Sequence, residues 1–185
     1  MQYLCIMKIH ILGASCAGST TLGNALSVQL NIPYFDTDSF FWEKSAVPYT
    51  VKRDPLLRNE LLKAELSLLD SYIVGGSLVS WGEEWKQQFD LAVFLYLPKE
   101  IRMERLVKRE IKRYGNDIYD DPQRHKLFLE FIDWASKYDD RSFTGRNIGI
   151  HETWLASVKC PVMKIEGDTT VAERLRRILE AVNRR

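Results

Sequence analysis

The chain has 185 residues, 45% of them hydrophobic and 28% charged, with a formal net charge of +1. That length suits one domain, residues 1–185, around a single sizeable core, and the near-neutral balance gives no general basic field, which argues against nucleic acid as a partner. No apolar stretch reaches membrane-spanning length, and the short run Leu4–Leu12 carries Lys8 and His10 and lacks a signal-peptide cleavage pattern, so a cytoplasmic protein with no membrane partner is expected.

The first element is a strand. The apolar run from Ile6 to Leu12 enters Gly13-Ala14-Ser15-Cys16-Ala17-Gly18-Ser19-Thr20-Thr21, and Leu22–Leu30 leaves it as a helix. The pattern G-x-x-x-x-G-K-[ST] works because glycines let backbone N–H groups curl round a phosphate, a lysine reaches the outer phosphates and a hydroxyl holds Mg²⁺. Gly13, Gly18 and Thr20 fit that pattern, whereas Ser19 stands where the lysine belongs. Amides and the positive end of the following helix are enough to bind phosphate without it. Cys16 inside the loop is either a small filler residue or a thiol whose pKa the helix N-terminus lowers.

Ile32–Phe35 reads as a second, short strand, followed by Asp36-Thr37-Asp38. Two acids at a strand's carboxyl end lie where ligands bind in open α/β sheets, and there they can hold Mg²⁺, orient an acceptor hydroxyl or take its proton. The alternative makes Asp38 the N-cap of a short helix through Phe40–Glu43 and Asp36 a turn residue. A helix covers about 54–70, and Tyr72–Val74 is a third strand running into Gly75-Gly76-Ser77. Paired glycines there allow either close backbone approach to a ligand or a tight turn.

Leu91–Leu97, ended by Pro98, is a continuous apolar run suited to a strand covered on both faces. A charged helix over about 99–113 carries Arg105 and Arg109 on one face, either for phosphate oxygens and bases or within a salt-bridged surface. Residues 115–121 lack strong periodicity, 122–137 has a weaker helical pattern, and Arg141 and Arg146 lie in a polar segment after it. Pro161–Ile165 is the last strand, closed by Glu166-Gly167-Asp168, and Val171, Leu175, Ile178, Leu179 and Val182 make one face of a final helix. Alternating strands and helices imply a five-stranded parallel sheet wound from both sides. Cys5, Cys16 and Cys160 are odd in number and lack C-x-x-C spacing, which argues against a disulfide framework or zinc site. His10, His125 and His151 are too scattered for a metal, and His151 beside Glu152 reads as a helix-surface residue.

The order of phosphate loop, acid-rich second strand, Gly-Gly after the third strand, and Pro98 followed by Arg105 and Arg109 resembles the adenylate-kinase-like and shikimate-kinase-like P-loop kinases. The segments Phe35–Trp42, Gly75–Gly82 and Tyr138–Trp154 further resemble a bacterial set of adenylate-kinase-like ATPases that carries a hydroxyl residue in place of the loop lysine. The resemblance implies a three-layer α/β fold with strand order 2-3-1-4-5, an acceptor-binding segment over about 36–70 and a helical lid over about 110–150. It implies that Gly13–Thr21 cradles ATP, that Thr20 and Asp36 hold Mg²⁺, and that Asp38 works beside them at the acceptor. It assigns Arg58, Gly75 and Gly76 to the acceptor, Arg105 and Gly167 to the adenine, and Arg109 to the phosphates.

The missing lysine charge is expected from Arg109, Arg141 or Arg146, since phosphoryl transfer is mostly positioning plus charge stabilisation. Trp42, Trp81 and Trp85 either stack on a base or sugar or pack the core. The expected activity is phosphoryl transfer from Mg-ATP to a small acceptor, a nucleoside monophosphate or a hydroxy compound, by a monomer or homodimer. The alternative is a nucleotide sensor that transfers nothing, although such a protein has little need for the acid pair and the arginines.

Overall fold

A computed structural model describes residues 6–183, so Cys5 lies outside the described residues. Strands β1 (Lys8–Gly13), β2 (Tyr34–Asp36), β3 (Tyr72–Gly75), β4 (Leu91–Tyr96) and β5 (Val162–Glu166) form one parallel sheet of order β2-β3-β1-β4-β5. The helices are α1 (Ser19–Leu30), α2 (Thr37–Phe41), α3 (Pro55–Ser67), α4 (Lys99–Tyr114), α5 (Asp117–Asp120), α6 (Pro122–Ser136), α7 (Ile148–Ser157) and α8 (Val171–Asn183). The order expected from the resemblance is the order found.

The sheet sorts the apolar residues by alternation along each strand. Ile9, Ile11, Ile73, Val93 and Leu95 face Leu22 and Leu26 of α1 and Ile178 of α8. Leu12, Val74, Ala92 and Phe94 form the other face, with Leu62 of α3, Trp85 and Trp154. Full burial of each such side chain is worth about 1.5–3 kcal/mol, which keeps both layers against the sheet. Helix starts follow their caps: Asp54 and Asp121 each accept two backbone N–H groups ahead of Pro55 and Pro122. An acceptor at the cap and a proline in the first turn remove the orphaned donors of a helix start.

Two boundaries differ from expectation in ways that matter. β2 begins at Tyr34 rather than Ile32 and ends at Asp36, paired with Gly75. The acid is therefore fixed by the sheet ladder and is not a free turn residue. The stretch 115–121 contains the one-turn helix α5, because Ile118 is fully buried and pulls the chain inward.

Candidate active site

The loop between β1 and α1 lies at the carboxyl edge of the sheet, beside the end of β2. Cys16 and Gly18 have φ of 63° and 102°, and Gly18 caps α1 with no side-chain hydrogen bond, so the first turn keeps its N–H groups for an incoming anion. Thr20 Oγ1 donates to Asp36 Oδ2 at 2.8 Å, and Tyr34 Oη donates to the same oxygen at 3.2 Å. Asp36 Oδ1 accepts the Asp38 N–H at 3.0 Å, making Asp36 the N-cap of α2. The two sequence readings of this acid pair exchange partners: Asp36 is the cap, and Asp38 sits in the first helical turn. Burial raises the Cys16 thiol above its ordinary value, opposite to the lowering that a helix N-terminus would give, which favours the filler reading of the two.

Tyr34 is held by what its neighbours lack. A Cβ on Gly23 would lie 2.1 Å from its ring, and one on Gly75 would lie 2.2 Å from its hydroxyl. Burial, then the charge of Asp36, push the phenol up, so it stays a donor at neutral pH.

Asp38 is open to solvent by area yet crowded by protein, as a group inside a cleft is. Crowding and then the charge of Asp36 raise its carboxyl, while Arg146, Arg109 and Arg113 oppose the rise. Arg109 and Arg113 act on Cys16 as well, so both reach the loop electrostatically. Each guanidinium leans on an aromatic ring: Arg109 on Phe131 at 5.5 Å, Arg113 on Tyr49 at 5.1 Å, Arg146 on Trp134 at 5.0 Å. Glu110 pairs with both Arg109 and Arg113, whereas Arg146 has no ion pair among the described residues and its Nε is buried without a partner. Arg113 belongs to this group as well, although only Arg105 and Arg109 stand out on this helix from the sequence. Its spacing, four beyond Arg109, was the available signal.

Gly75 and Gly76 close β3. Gly76 has φ of 103°, and a Cβ there would meet Thr37 Oγ1 at 1.9 Å. Tyr34 and Thr37 thus account for both glycines through close approach of the chain to itself. Two buried imidazoles then brace this turn. His10 Nε2 lies 2.8 Å from the Gly76 carbonyl, which can only accept, so Nε2 carries the proton. His151 Nδ1 lies 2.7 Å from Tyr138 Oη, and its Nε2 lies 3.1 Å from Ser77 Oγ. Burial lowers His10 to about 4 and His151 to about 3, so both are neutral at physiological pH. His151 was expected on a helix surface; it is instead fully buried, because the face of α7 that carries it and Trp154 turns onto the sheet.

The remaining candidates divide. Arg105 pairs with Asp168, next to Gly167, whose N–H donates to the Tyr96 carbonyl at 3.0 Å. Arg58 is buried between the rings of Phe41 and Trp81, at 5.1 and 4.6 Å, and donates to the Ser80 carbonyl at 3.0 Å. In this arrangement its visible work is to hold the 80s loop. Arg141 pairs with Glu152 and lines a cavity of about 740 Å³ between the Val79–Lys86 stretch and α7, which the phosphate loop does not border. It is therefore not gathered with Arg109 and Arg146. Trp81 and Trp85 are core residues, Trp85 donating to Asn59 Oδ1 at 2.8 Å, while Trp42 is half-buried. Among the described residues no group of three or more His, Cys, Asp or Glu forms a metal cluster, and no helix is long and apolar enough to cross a membrane.

No family model matches the chain. The uncharacterized protein YqaC of Bacillus subtilis (strain 168) is 42% identical over 173 residues, which cover 94% of this chain and 96% of that protein. A shikimate kinase of Aquifex aeolicus (strain VF5) is 30% identical over 110 residues, 54% of this chain and 65% of the enzyme. Among solved structures, a shikimate kinase from Acinetobacter baumannii in complex with shikimate superposes with a TM-score of 0.54 at 17% identity, covering 97% of this chain and 94% of that one. The fold is thus that of the shikimate-kinase-like P-loop proteins.

Proposed function

The chain belongs to the same family as YqaC of Bacillus subtilis, and from that premise we propose that it is a Mg-ATP-dependent kinase acting on a small acceptor that carries a hydroxyl or phosphate nucleophile. The observation that carries this reading is the Thr20–Asp36 hydrogen bond beside a helix start that no side chain caps, with Asp38 next to it among arginines. A phosphate loop alone fits any nucleotide binder. An acid pair fixed against it fits transfer.

The donor set suits the partners. Hydroxyl and carboxylate oxygens match the preference of Mg²⁺, so Thr20 and Asp36 would hold it, and when bound it screens the charge of the outer phosphates. The amides of Gly13–Thr21 bind the phosphates, and the Arg105–Asp168 pair with Gly167 borders the base. Asp38 accepts the proton of the acceptor hydroxyl; its raised carboxyl lies closer to working pH than an ordinary one, which favours that role. The acceptor oxygen forms its bond to the γ-phosphorus as the bond from that phosphorus to the bridging oxygen breaks, leaving ADP. Arg109 and Arg146 supply the charge a loop lysine would bring, and Arg141 joins them only by leaving Glu152. The acceptor itself is held between Asp38, the Gly75-Gly76 turn and the Arg58-braced 80s loop, and the segment 110–150 covers it. Residues 1–185 work as one domain, in the cytoplasm.

The test is ADP formation from Mg-ATP against nucleoside monophosphates, nucleosides and small hydroxy acids, with an acceptor-free control and Asp36→Asn alongside. Turnover with one acceptor class, lost in the variant, is expected and names the substrate. ATP binding without turnover on any acceptor would replace this reading with a nucleotide sensor.

A further inference from the structure

Arg174 on α8 falls in no motif of the sequence, yet it is a long-range partner of the phosphate loop. Its side chain is 4% exposed. Nη1 donates to the Ala17 carbonyl at 2.8 Å and Nε donates to Thr169 Oγ1 at 2.9 Å. No carboxylate touches it among the described residues; Asp168, the acid whose charge acts on it, is engaged by Arg105. The guanidinium also lies against Gly18, where a Cβ would come within 2.9 Å of Nη1.

Two consequences follow from elementary chemistry. A peptide unit is planar and trans, so its C=O and N–H point in opposite directions. By holding the Ala17 carbonyl on the outer side of the loop, Arg174 turns the Gly18 N–H toward the inner side, where a phosphate would sit. Secondly, a buried cation at the positive end of α1, without an acid in contact, is electrostatically unfavourable by itself. It becomes favourable once an anion fills the loop.

We propose that Arg174 is a positioning residue that presets the Ala17–Gly18 peptide of the phosphate loop and supplies, from beneath, the fixed positive charge that Ser19 does not. The same side chain ties that peptide to the Gly167–Thr169 turn, so the phosphate end and the base end of the nucleotide site share one anchor. This inference rests on the nucleotide-binding reading above, and the experiment separates the two.

The quantity to measure is the ratio of the adenosine Kd to the Mg-ATP Kd, by calorimetry, in the wild type and in Arg174→Met, Arg174→Lys, Ser19→Lys and the Ser19→Lys/Arg174→Met double variant. In Arg174→Met the ratio is expected to fall at least tenfold, mostly through weaker ATP binding, and Ser19→Lys in the same chain is expected to restore most of it. Arg174→Lys keeps the charge but cannot span Ala17 and Thr169, so its ratio is expected to fall by about threefold to tenfold. A helix residue that merely props the fold would weaken adenosine and ATP alike and would not be rescued from position 19. If the Arg174→Met chain does not fold, Arg174→Lys decides, and an unchanged ratio there overturns the inference. A wild type that binds no ATP overturns the nucleotide-binding reading; a wild type that binds it, with Arg174 variants of unchanged ratio, overturns this one alone.

Discussion

On the proposed function the site has a nucleotide end and an acceptor end, and the two are built from different material. At the nucleotide end, the loop after β1 is made of backbone: a glycine at φ 102°, N–H groups at a helix start, and one carbonyl anchored from α8. At the acceptor end, the turn after β3 is held by side chains from distant elements: His10 from β1, Thr37 from α2, and the Ser77–His151–Tyr138 chain from α7 and the segment before it. Backbone can present charge to any phosphate, which every nucleotide has in common. Side chains can be exchanged to suit one acceptor, and they brace their turn only as long as every hydrogen bond is made.

The sharpest way to break this contrast is at the junction of the two ends. Asp36→Asn keeps the shape but loses the charge that Thr20 and Tyr34 converge on, and turnover in a confirmed assay should drop by about 10²–10³ with nucleotide Kd changed far less. Equal losses in binding and turnover would mean that Asp36 belongs to the nucleotide end only. Removing His151 should tell in stability, since His151→Ala leaves Tyr138 Oη and Ser77 Oγ without their partner in the core; about 2–4 kcal/mol by urea denaturation is expected. Tyr138→Phe removes one of those bonds and should cost about 1 kcal/mol.

The buried imidazoles also make the acceptor end sensitive to acid. Both have folded values below the ordinary 6.5, near 4 for His10 and near 3 for His151. The unfolded chain therefore takes up protons first as pH falls. Stability is fully present above pH 6.5 and declines toward pH 4, by at most about 1.4 kcal/mol per pH unit for each imidazole. A urea midpoint unchanged between pH 7.5 and pH 4.5 would show that the histidines are not neutral and buried as described. The smallest effect is expected at the periphery: the Arg141–Glu152 pair is solvent-exposed, and Arg141→Ala should shift stability by less than about 1 kcal/mol.

The same contrast explains which parts the sequence shows. The order of strands followed from the family resemblance, whereas the loop and the acid pair are legible because each is a local pattern of a few neighbouring residues at one strand end. Even there the finer roles of Asp36 and Asp38 needed the register of β2 against β3. Arg174 and Ala17 are 157 positions apart, and Ser77 and His151 are 74 apart, distances over which no spacing rule operates. His10 left one trace, a polar residue in the middle of a strand that is apolar apart from Lys8 at its start. His151 left a misleading one, since α7 has apolar residues on every side and its buried face cannot be told from periodicity. Arg58 is in the expected segment but is enclosed by rings that come from α2 and the 80s loop.

Tyr34 between Gly23 and Gly75 carries a consequence for descent. Its ring fills the space where both glycines would otherwise bear side chains. None of the three positions can change first without a penalty: a methyl at 23 or 75 collides with the ring, and a smaller residue at 34 opens a hole flanked by two bare backbones. Lineages of this protein should therefore inherit the three as a block, and any that traded the tyrosine for a small residue should have gained side chains at both partners.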